Sequence, residues 1–231
     1  MPIKNRQGRF VGVYNDKPYA LFGFLDGEHN ASEDNVREVA KAIGILHTLT
    51  IHHKPEYTEA RATFDPAYCW SYATENARKI KSETEAQERL EWLEVELEKL
   101  QLPDALPMGI CHCDTNPSNF LYKQGKISAV LDFDQSSYTW LLYDVAQLIY
   151  WWAWQDKGEI NFDVARELLT DYQELRKLAE EERRHLYDVL KMVNLVSSGW
   201  FFDQEDFNND RRRIELLTTI GREEFHHRIF V

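Results

Sequence analysis

Three oxygen-bearing side chains, Asp114, Asn119 and Asp132, follow one another in a pattern that suits phosphoryl transfer. That reaction needs a carboxylate that accepts or orients the proton of the acceptor hydroxyl, and hard oxygen ligands that hold Mg²⁺ on the phosphates. Asp114 and Asn119 belong to a loop that Pro117 makes rigid, so one tight turn can direct a carboxylate and an amide oxygen into the same cleft. The loop therefore contains the residue types of a catalytic and metal-binding segment.

A short hairpin is predicted directly after this loop. Residues 120–123 and 127–131 have the composition of two strands, and residues 124–126 (QGK) have that of a turn. Because a hairpin returns the chain to its starting point, Asp132 should lie close to Asn119. The pattern thus predicts two oxygen ligands for Mg²⁺ beside the unligated carboxylate of Asp114.

Three segments together resemble a known family. They are residues 112–119 (HCDTNPSN), 131–134 (LDFD) and 142–146 (LYDVA). In this order they are similar to the motifs of the aminoglycoside phosphotransferase and choline kinase superfamily, and most similar to those of its homoserine-kinase-type branch. Cys113 departs from the family pattern, in which Gly or Asn usually follows the histidine.

The resemblance implies a role for each residue of these motifs. Asp114 would be the catalytic base, and Asn119 and Asp132 would bind Mg²⁺. His112 and Asp144 would be buried supports that hold the two loops in place. The implied activity is ATP-dependent phosphorylation of a hydroxyl group.

The same resemblance implies where the two substrates bind. The adenine of ATP would meet main-chain groups of Phe24 and Leu25, at the hinge between two lobes. The acceptor would be a small molecule with a hydroxyl group, such as a homoserine-like amino alcohol, a choline-like amine or an aminoglycoside. Helices after the metal segment would form its pocket, where Asp134, Trp154 and Asp156 are candidates.

Several of these residues also have a purely structural interpretation. An isolated Asp-x-x-x-x-Asn pattern is usually a capped turn, and only the ordered set of three motifs favours a catalytic loop. His47 is best explained as a hydrogen-bonded core histidine, and the tryptophans at 151, 152 and 154 as core residues. The thiols of Cys111 and Cys113 are interpreted as structural, because no second ligand pair at zinc spacing exists in the sequence.

A competing class is the Asp-x-Asp phosphohydrolases, in which the first aspartate is a nucleophile. Residues 132–134 (DFD) after an apolar strand fit that pattern. The class does not, however, predict the loop at residues 112–119. The phosphotransferase interpretation explains both segments.

The composition sets bounds on the class of protein. The 231 residues carry a net charge of −12, which argues against binding to nucleic acid or to an anionic membrane, since both require basic surfaces. Hydrophobic residues make up 43% of the chain, enough for a packed core. Three cysteines do not form a disulfide framework, and no signal peptide is evident, so a cytoplasmic protein is expected.

The expected architecture is α+β. Residues 1–29 would be a two-stranded remnant of an N-terminal lobe, with strands at 9–14 and 18–24, followed by the hinge. Residues 30–231 would form a protein-kinase-like C-terminal lobe, mainly helical with a catalytic β-hairpin. Helices are predicted from residue 30 or 32 onward, and then at residues 83–100, 143–154, 162–179, 181–198 and 210–229, with Gly199 and a polar loop at 203–209 as separators.

The resemblance also implies that part of the family fold is absent from this sequence. The 23 residues before Phe24 suffice for two strands, but not for a phosphate-covering loop or the lysine that pairs the α- and β-phosphates. The chain would therefore be a truncated kinase or a natural remnant with a binding or interaction role. An isolated two-stranded ribbon presents an unpaired edge, so the N-terminal hairpin is expected either to self-associate or to dock onto the C-terminal lobe.

Overall fold

Helices account for most of the chain that the computed structural model describes, which comprises residues 2–29, 35–56, 61–154 and 158–231. The α-helices of these residues are α1 (Val36–Thr50), α2 (Pro66–Ala77), α3 (Glu83–Glu98), α4 (Leu141–Leu148), α5 (Phe162–Leu175), α6 (Glu180–Trp200), α7 (Asp206–Ile220) and α8 (Arg222–Phe230). A π-helix, Ile149–Ala153, continues α4. The start of the first helix, predicted at residue 30 or 32, lies outside the described residues.

The helix starts follow from side-chain caps. Asp65 accepts a hydrogen bond from the Tyr68 amide and precedes Pro66 at the first helical position, which fixes the start of α2. Ser82 caps α3 in the same way. A cap followed by proline is a signal for a helix, although α2 was not among the predicted helices.

The core is built around α6. This helix packs against α2, α4, α7 and α8, and its buried residues include Leu186, Leu190 and Leu195. Helices α1 and α5 pack against each other beside it. Almost every side chain of α4 is buried, because the helix lies in the middle of the body. Loops that attach to α4 are therefore held by a rigid element.

The described residues also form three small antiparallel sheets. The strands are β1 (Pro2–Ile3), β2 (Val11–Tyr14), β3 (Lys17–Phe22), β4 (Met108–Cys111), β5 (Phe120–Lys123), β6 (Lys126–Val130) and β7 (Ser137–Trp140). The first sheet has the order β1-β3-β2, while β4 pairs with β7 and β5 pairs with β6. The architecture is thus α+β, as predicted. The N-terminal sheet has a third strand, β1, which is only two residues long and was not expected.

The predicted hairpin is confirmed as β5 and β6. Gln124 and Gly125 connect the strands, and both have a positive φ, 54° and 73°. Two central residues with positive φ give a turn whose twist matches that of the strands. The register pairs Phe120 with Val130, so the start of β5 meets the end of β6.

One helix boundary predicted at a glycine is wrong, and another at a glycine was missed. Gly199 lies within α6, where its missing side chain lets the helix approach α2: a Cβ there would be 3.2 Å from the Cys69 carbonyl oxygen. The helix predicted at residues 210–229 is instead two helices, which meet at Gly221. Gly221 has φ 75°, a conformation that favours glycine and ends α7.

The hinge is attached to the hairpin by its main chain. The Glu28 amide donates to the Tyr122 carbonyl at 2.9 Å, and the Tyr122 amide donates to the Glu28 carbonyl at 2.9 Å. Gly27 allows this approach, since a Cβ there would lie 2.5 Å from Ser128 Oγ and 2.9 Å from Leu121 Cβ. The segment after Leu25 is therefore fixed to the same hairpin that carries Asn119 at its start.

No helix of the described residues has both the length and the apolar character needed to cross a membrane.

Candidate active site

Asp114 and Asn119 are in direct contact. The Asn119 amide nitrogen donates to Asp114 Oδ2 at 2.8 Å and to the Asp114 carbonyl oxygen at 3.0 Å. Asn119 lies in a one-turn 3₁₀-helix, Pro117–Asn119, that Asn116 caps through the Ser118 amide. Both bonds use the amide nitrogen, which leaves the amide oxygen as the group that could bind a cation. Asp114 itself is half-buried.

Asp132 lies at the same end of the hairpin. The Leu131 amide donates to the Asn119 carbonyl at 2.8 Å, and Asp132 is the next residue. Its carboxylate is exposed, and its main chain has φ 56°, in the left-handed region. The Asp132 carboxylate and the Asn119 amide oxygen are hard oxygen donors, and such donors suit Mg²⁺. The residues at this end of the hairpin therefore fit the ion that the sequence motifs imply.

His112 connects the loop to the hairpin. The Asp114 amide donates to its Nδ1 at 3.3 Å, so the proton of the neutral ring is on Nε2, which donates to the Leu131 carbonyl at 2.7 Å. The side chain is completely buried, and its ring contacts Phe133 at a centroid distance of 4.7 Å. One imidazole thus bridges the segments that contain Asp114 and Asp132.

Asp144, in α4, holds the start of the loop. Its Oδ2 accepts a hydrogen bond from the His112 amide at 2.7 Å, and its Oδ1 accepts one from the Cys113 amide at 2.8 Å. His47 Nε2 lies 3.1 Å from the same Oδ2. The carboxylate is fully buried, and a buried charge is tolerated where it receives several hydrogen bonds.

His47 is a hydrogen-bonded core residue, as the sequence predicted. It is fully buried, and its Nδ1 lies 2.7 Å from the Tyr172 hydroxyl. The possible ligand atoms of His47, Cys111 and Asp144 lie within 4.8 Å of one another. Because the histidine and the carboxylate are already bonded to each other, and burial raises the pKa of the Cys111 thiol well above its usual range, we interpret this group as part of the core.

The hinge residues Phe24 and Leu25 are exposed. Phe24 has 94% of its side chain accessible. Glu28, three residues after Leu25, is bonded to Tyr122 of β5 through its main chain. The proposed contact of residues 24 and 25 with adenine stays a prediction.

The acceptor-site candidates are not grouped by the described contacts. Asp134 is exposed, and its amide approaches Asp132 Oδ1 at 3.4 Å. Trp154 is fully buried, and its indole donates to the Gly158 carbonyl at 3.0 Å, which agrees with the interpretation as a core residue. Asp156 lies outside the described residues. A role in acceptor binding stays a prediction for all three.

Two buried side chains near the loop were missed in the sequence. Gln147 and Trp152 both donate hydrogen bonds to carbonyl groups of the loop, at Cys113 and Thr115 respectively. The signal for Gln147 is its position one helical turn after Asp144, which puts both on one face of α4. Trp152 lies in the π-helix, whose register no simple periodicity predicts.

A family model supports the resemblance seen in the motifs. The model described as the phosphotransferase enzyme family (APH) matches residues 6–180. A homoserine kinase of Rhodospirillum rubrum is 28% identical over 185 residues, which are 78% of this chain and 56% of that protein. The chain thus spans about half the length of the curated relatives it matches.

Solved structures show the same fold. The amicoumacin kinase hAmiN, in complex with AMP-PNP, Ca²⁺ and Ami, superposes with a TM-score of 0.62 at 18% identity, covering 94% of this chain and 71% of that one. A choline kinase from Cryptosporidium parvum gives 0.58 at 16% identity, covering 90% and 71%. Both likenesses support a kinase-like C-terminal lobe with a short remnant of strands before it.

Proposed function

The chain belongs to the phosphotransferase enzyme family, and we propose that its candidate site transfers a phosphoryl group from ATP to a hydroxyl group of a small molecule. In this proposal Asp114 is the base, and Asn119 and Asp132 hold Mg²⁺. His112 and Asp144 position the two segments. The main chain at Phe24 and Leu25 meets the adenine, as the family resemblance implies.

One observation carries most of this proposal. The Asn119 amide nitrogen binds the Asp114 carboxylate, while the main chain of the same asparagine binds the residue before Asp132. The Asn119 amide oxygen then faces away from Asp114 and is available to a cation. In this arrangement the Asp114 carboxylate serves as the base, while the Asn119 amide oxygen and the Asp132 carboxylate are the cation ligands. Phosphoryl transfer requires these two roles to be separate.

An amino alcohol is the acceptor class that we propose. Curated relatives from Rhodospirillum rubrum and Sinorhizobium medicae are named homoserine kinase, and one structural relative is a microcompartment-associated aminopropanol kinase. A hydroxyl and an amine on one small molecule are common to both substrates. The acidic character of the chain is compatible with a cationic acceptor.

The proposal is tested by separating the roles of two aspartates. In a polypeptide that carries a complete N-terminal lobe, Asp114→Asn should abolish most phosphoryl transfer without changing the affinity for Mg²⁺-ATP, since the base is lost and the metal ligands remain. Asp132→Asn should weaken Mg²⁺-dependent nucleotide binding, because a charged ligand becomes neutral.

ADP release with homoserine, aminopropanol, choline and an aminoglycoside, measured over a range of Mg²⁺ concentrations, distinguishes the two variants. The exposed Asp104→Asn, in the segment between α3 and β4, serves as the control for a change of surface charge. Equal losses in both aspartate variants at every Mg²⁺ concentration would contradict the separate roles.

A binding protein without catalytic activity is the second candidate. The observation in its favour is that the described residues before Phe24 form only the short strands β1, β2 and β3, whereas phosphoryl transfer also needs a phosphate-covering loop and a lysine that pairs the phosphates. Such a protein would take up an acceptor or nucleotide with no release of ADP. The same assay, combined with calorimetry, separates this candidate from the kinase.

We further propose that two copies of the chain associate through the N-terminal sheet. Val13, Tyr14 and Phe22 are more than 60% exposed, and within the described residues β2 pairs only with β3, so its outer edge is open. Val13→Lys should abolish a concentration-dependent dimer, since an edge lysine opposes strand pairing. Val95→Lys, at an exposed position of α3, is the matched control; a monomeric wild-type chain at micromolar concentration would refute the proposal.

A further inference from the structure

The main chain of the loop from His112 to Thr115 is held by side chains rather than by a neighbouring strand. Asp144 accepts from the amides of His112 and Cys113, His112 accepts from the Asp114 amide, and Asn119 donates to the Asp114 carbonyl. The Asp114 amide and carbonyl, one half of each peptide group that flanks Asp114, are thus already bonded. The other halves of these two peptide groups are the Cys113 carbonyl and the Thr115 amide, and they need another partner.

Gln147 holds both of those peptide groups. Its Nε2 donates to the Cys113 carbonyl at 2.9 Å, and its Oε1 accepts from the Thr115 amide at 3.2 Å. Only 3% of the residue is exposed, so no water replaces these bonds easily. One primary amide therefore spans Asp114, with a contact one residue before it and another one residue after it.

The geometry explains why the side chain must be an amide. The Cys113 carbonyl needs a donor and the Thr115 amide needs an acceptor, and Gln offers both on one planar group. Glutamate would provide acceptors only, and methionine of similar length would provide neither. The position is also well fixed, because α4 is buried and Trp152 of the π-helix holds the Thr115 carbonyl at 2.9 Å.

The contact also stabilises an unusual main-chain conformation. Cys113 has φ 63°, in the left-handed region that costs a residue with a side chain about 1 kcal/mol or more. Its amide is bonded to Asp144 and its carbonyl to Gln147, so α4 holds this residue from both sides. The direction in which the Asp114 side chain points away from the loop depends on the conformation of Cys113.

We propose that Gln147 is a positioning residue, which sets the orientation of the Asp114 carboxylate through the two peptide groups that flank it. This inference rests on the proposed role of Asp114 as the base. Gln147 would not contact substrate, metal or nucleotide. Its loss would misdirect the carboxylate and break the Asp114–Asn119 hydrogen bond, while the fold of the helices stays intact.

The test is a nuclear magnetic resonance measurement on the 231-residue chain, which needs no activity. The side-chain NH₂ group of Asn119 reports the bond to the Asp114 carboxylate, and Asp114→Ala shows the signal when that bond is absent. In Gln147→Met this signal should move toward its Asp114→Ala position. Exchange of the Thr115 amide should become about tenfold faster, which corresponds to the loss of a hydrogen bond worth about 1.4 kcal/mol.

Matched variants separate positioning from stability. Asn76→Leu removes another buried amide that binds two carbonyl groups, those of Gly199 and Trp200, and it should leave the Asn119 signal unchanged. Gln147→Glu keeps the acceptor for the Thr115 amide and loses the donor to the Cys113 carbonyl. Only the hydrogen bond to the Cys113 carbonyl should therefore be lost. This second variant also serves if Gln147→Met does not fold.

The outcomes distinguish this inference from the proposed function. A wild-type Asn119 signal in both Gln147 variants would overturn the positioning role, whatever the activity. In a polypeptide with a complete N-terminal lobe, Gln147→Met should lower kcat about 100-fold with little change in the KM for ATP. Misplacement of a reacting group by about 1 Å has effects of that size. If the unaltered protein transferred no phosphoryl group, the proposed function would be refuted. The expected change of the Asn119 signal in the Gln147 variants would still hold, because it does not depend on activity.

Discussion

Gly27→Ala is expected to detach the hinge from the catalytic hairpin. The added Cβ would lie 2.5 Å from Ser128 Oγ, 2.9 Å from Leu121 Cβ and 3.1 Å from the Tyr122 carbonyl oxygen. The Ser128 hydroxyl can rotate away, but Leu121 Cβ and the Tyr122 carbonyl oxygen both belong to strand β5. The hinge segment must therefore move away from β5, or β5 must shift.

The cost is set by the cheaper of these two responses. Overpacking a fixed site costs about 1–3 kcal/mol. Detachment costs the two main-chain hydrogen bonds between Glu28 and Tyr122, each worth about 1 kcal/mol. The surface ion pair between Lys123 and Asp26 adds little, because both groups are largely exposed. A loss of about 2 kcal/mol in local stability is expected.

Amide hydrogen exchange measures this loss directly. A change of about 2 kcal/mol corresponds to an increase of about 30-fold in the exchange rates of the Glu28 and Tyr122 amides. Gly23→Ala is the control, because nothing lies within 4 Å of a Cβ at that position. Gly27→Ala combined with Ser128→Ala should recover only part of the protection, since Leu121 Cβ remains in the way. Equal exchange of these amides in Gly27→Ala and Gly23→Ala would refute the reasoning.

Two further predictions concern pH and nucleotide binding. Burial raises the pKa of Asp210 to about 6, against the opposing effects of Ser197, Arg213 and Tyr150, and Asp206 adds to the rise. The protonated form is therefore favoured in the folded state, and the resulting stability, about 3 kcal/mol for a shift of about two units, is present below about pH 4 and is lost as the pH rises through 6. Asp210→Asn should remove this pH dependence in chemical denaturation between pH 4 and 7, and an unchanged dependence would assign it to other groups. A polypeptide of these 231 residues alone should bind ATP weakly and turn it over very slowly, because phosphoryl transfer depends on a phosphate-covering loop and a lysine that pairs the phosphates; submicromolar binding in calorimetry with ATP and Mg²⁺ would contradict this.

The hairpin beside the candidate site was predicted correctly, because local chemistry determines it. Gln124 and Gly125 both have a positive φ and form a two-residue hairpin turn. A turn of this length fixes the register in which the two strands beside it pair. Once that hairpin is fixed, Asp132 must return to Asn119. The prediction needed no contact between distant parts of the chain.

The glycine errors show where such local rules end. A glycine is compatible with a helix end and with a close helix contact, and the sequence does not distinguish them. Gly221 ends a helix because its main chain has φ 75°, whereas Gly199 stays helical because Cys69 of α2 packs against it. The second reason involves a residue far away in the sequence, which no window along the chain can contain.

The same limit explains why the supports of the catalytic loop were only partly found. His112 and Asp144 were inferred because they belong to motifs, but the contacts of His47, Gln147 and Trp152 depend on how the helices pack. Their partners lie between 32 and 125 positions away in the chain. Among the described residues no strand pairs with the loop at Asp114, so the Cys113 carbonyl and the Thr115 amide and carbonyl are bonded by side chains of α4 and the π-helix. A buried main-chain group without a partner costs about 1–3 kcal/mol, and each of these side chains thus contributes both to the stability of the fold and to the geometry of the site.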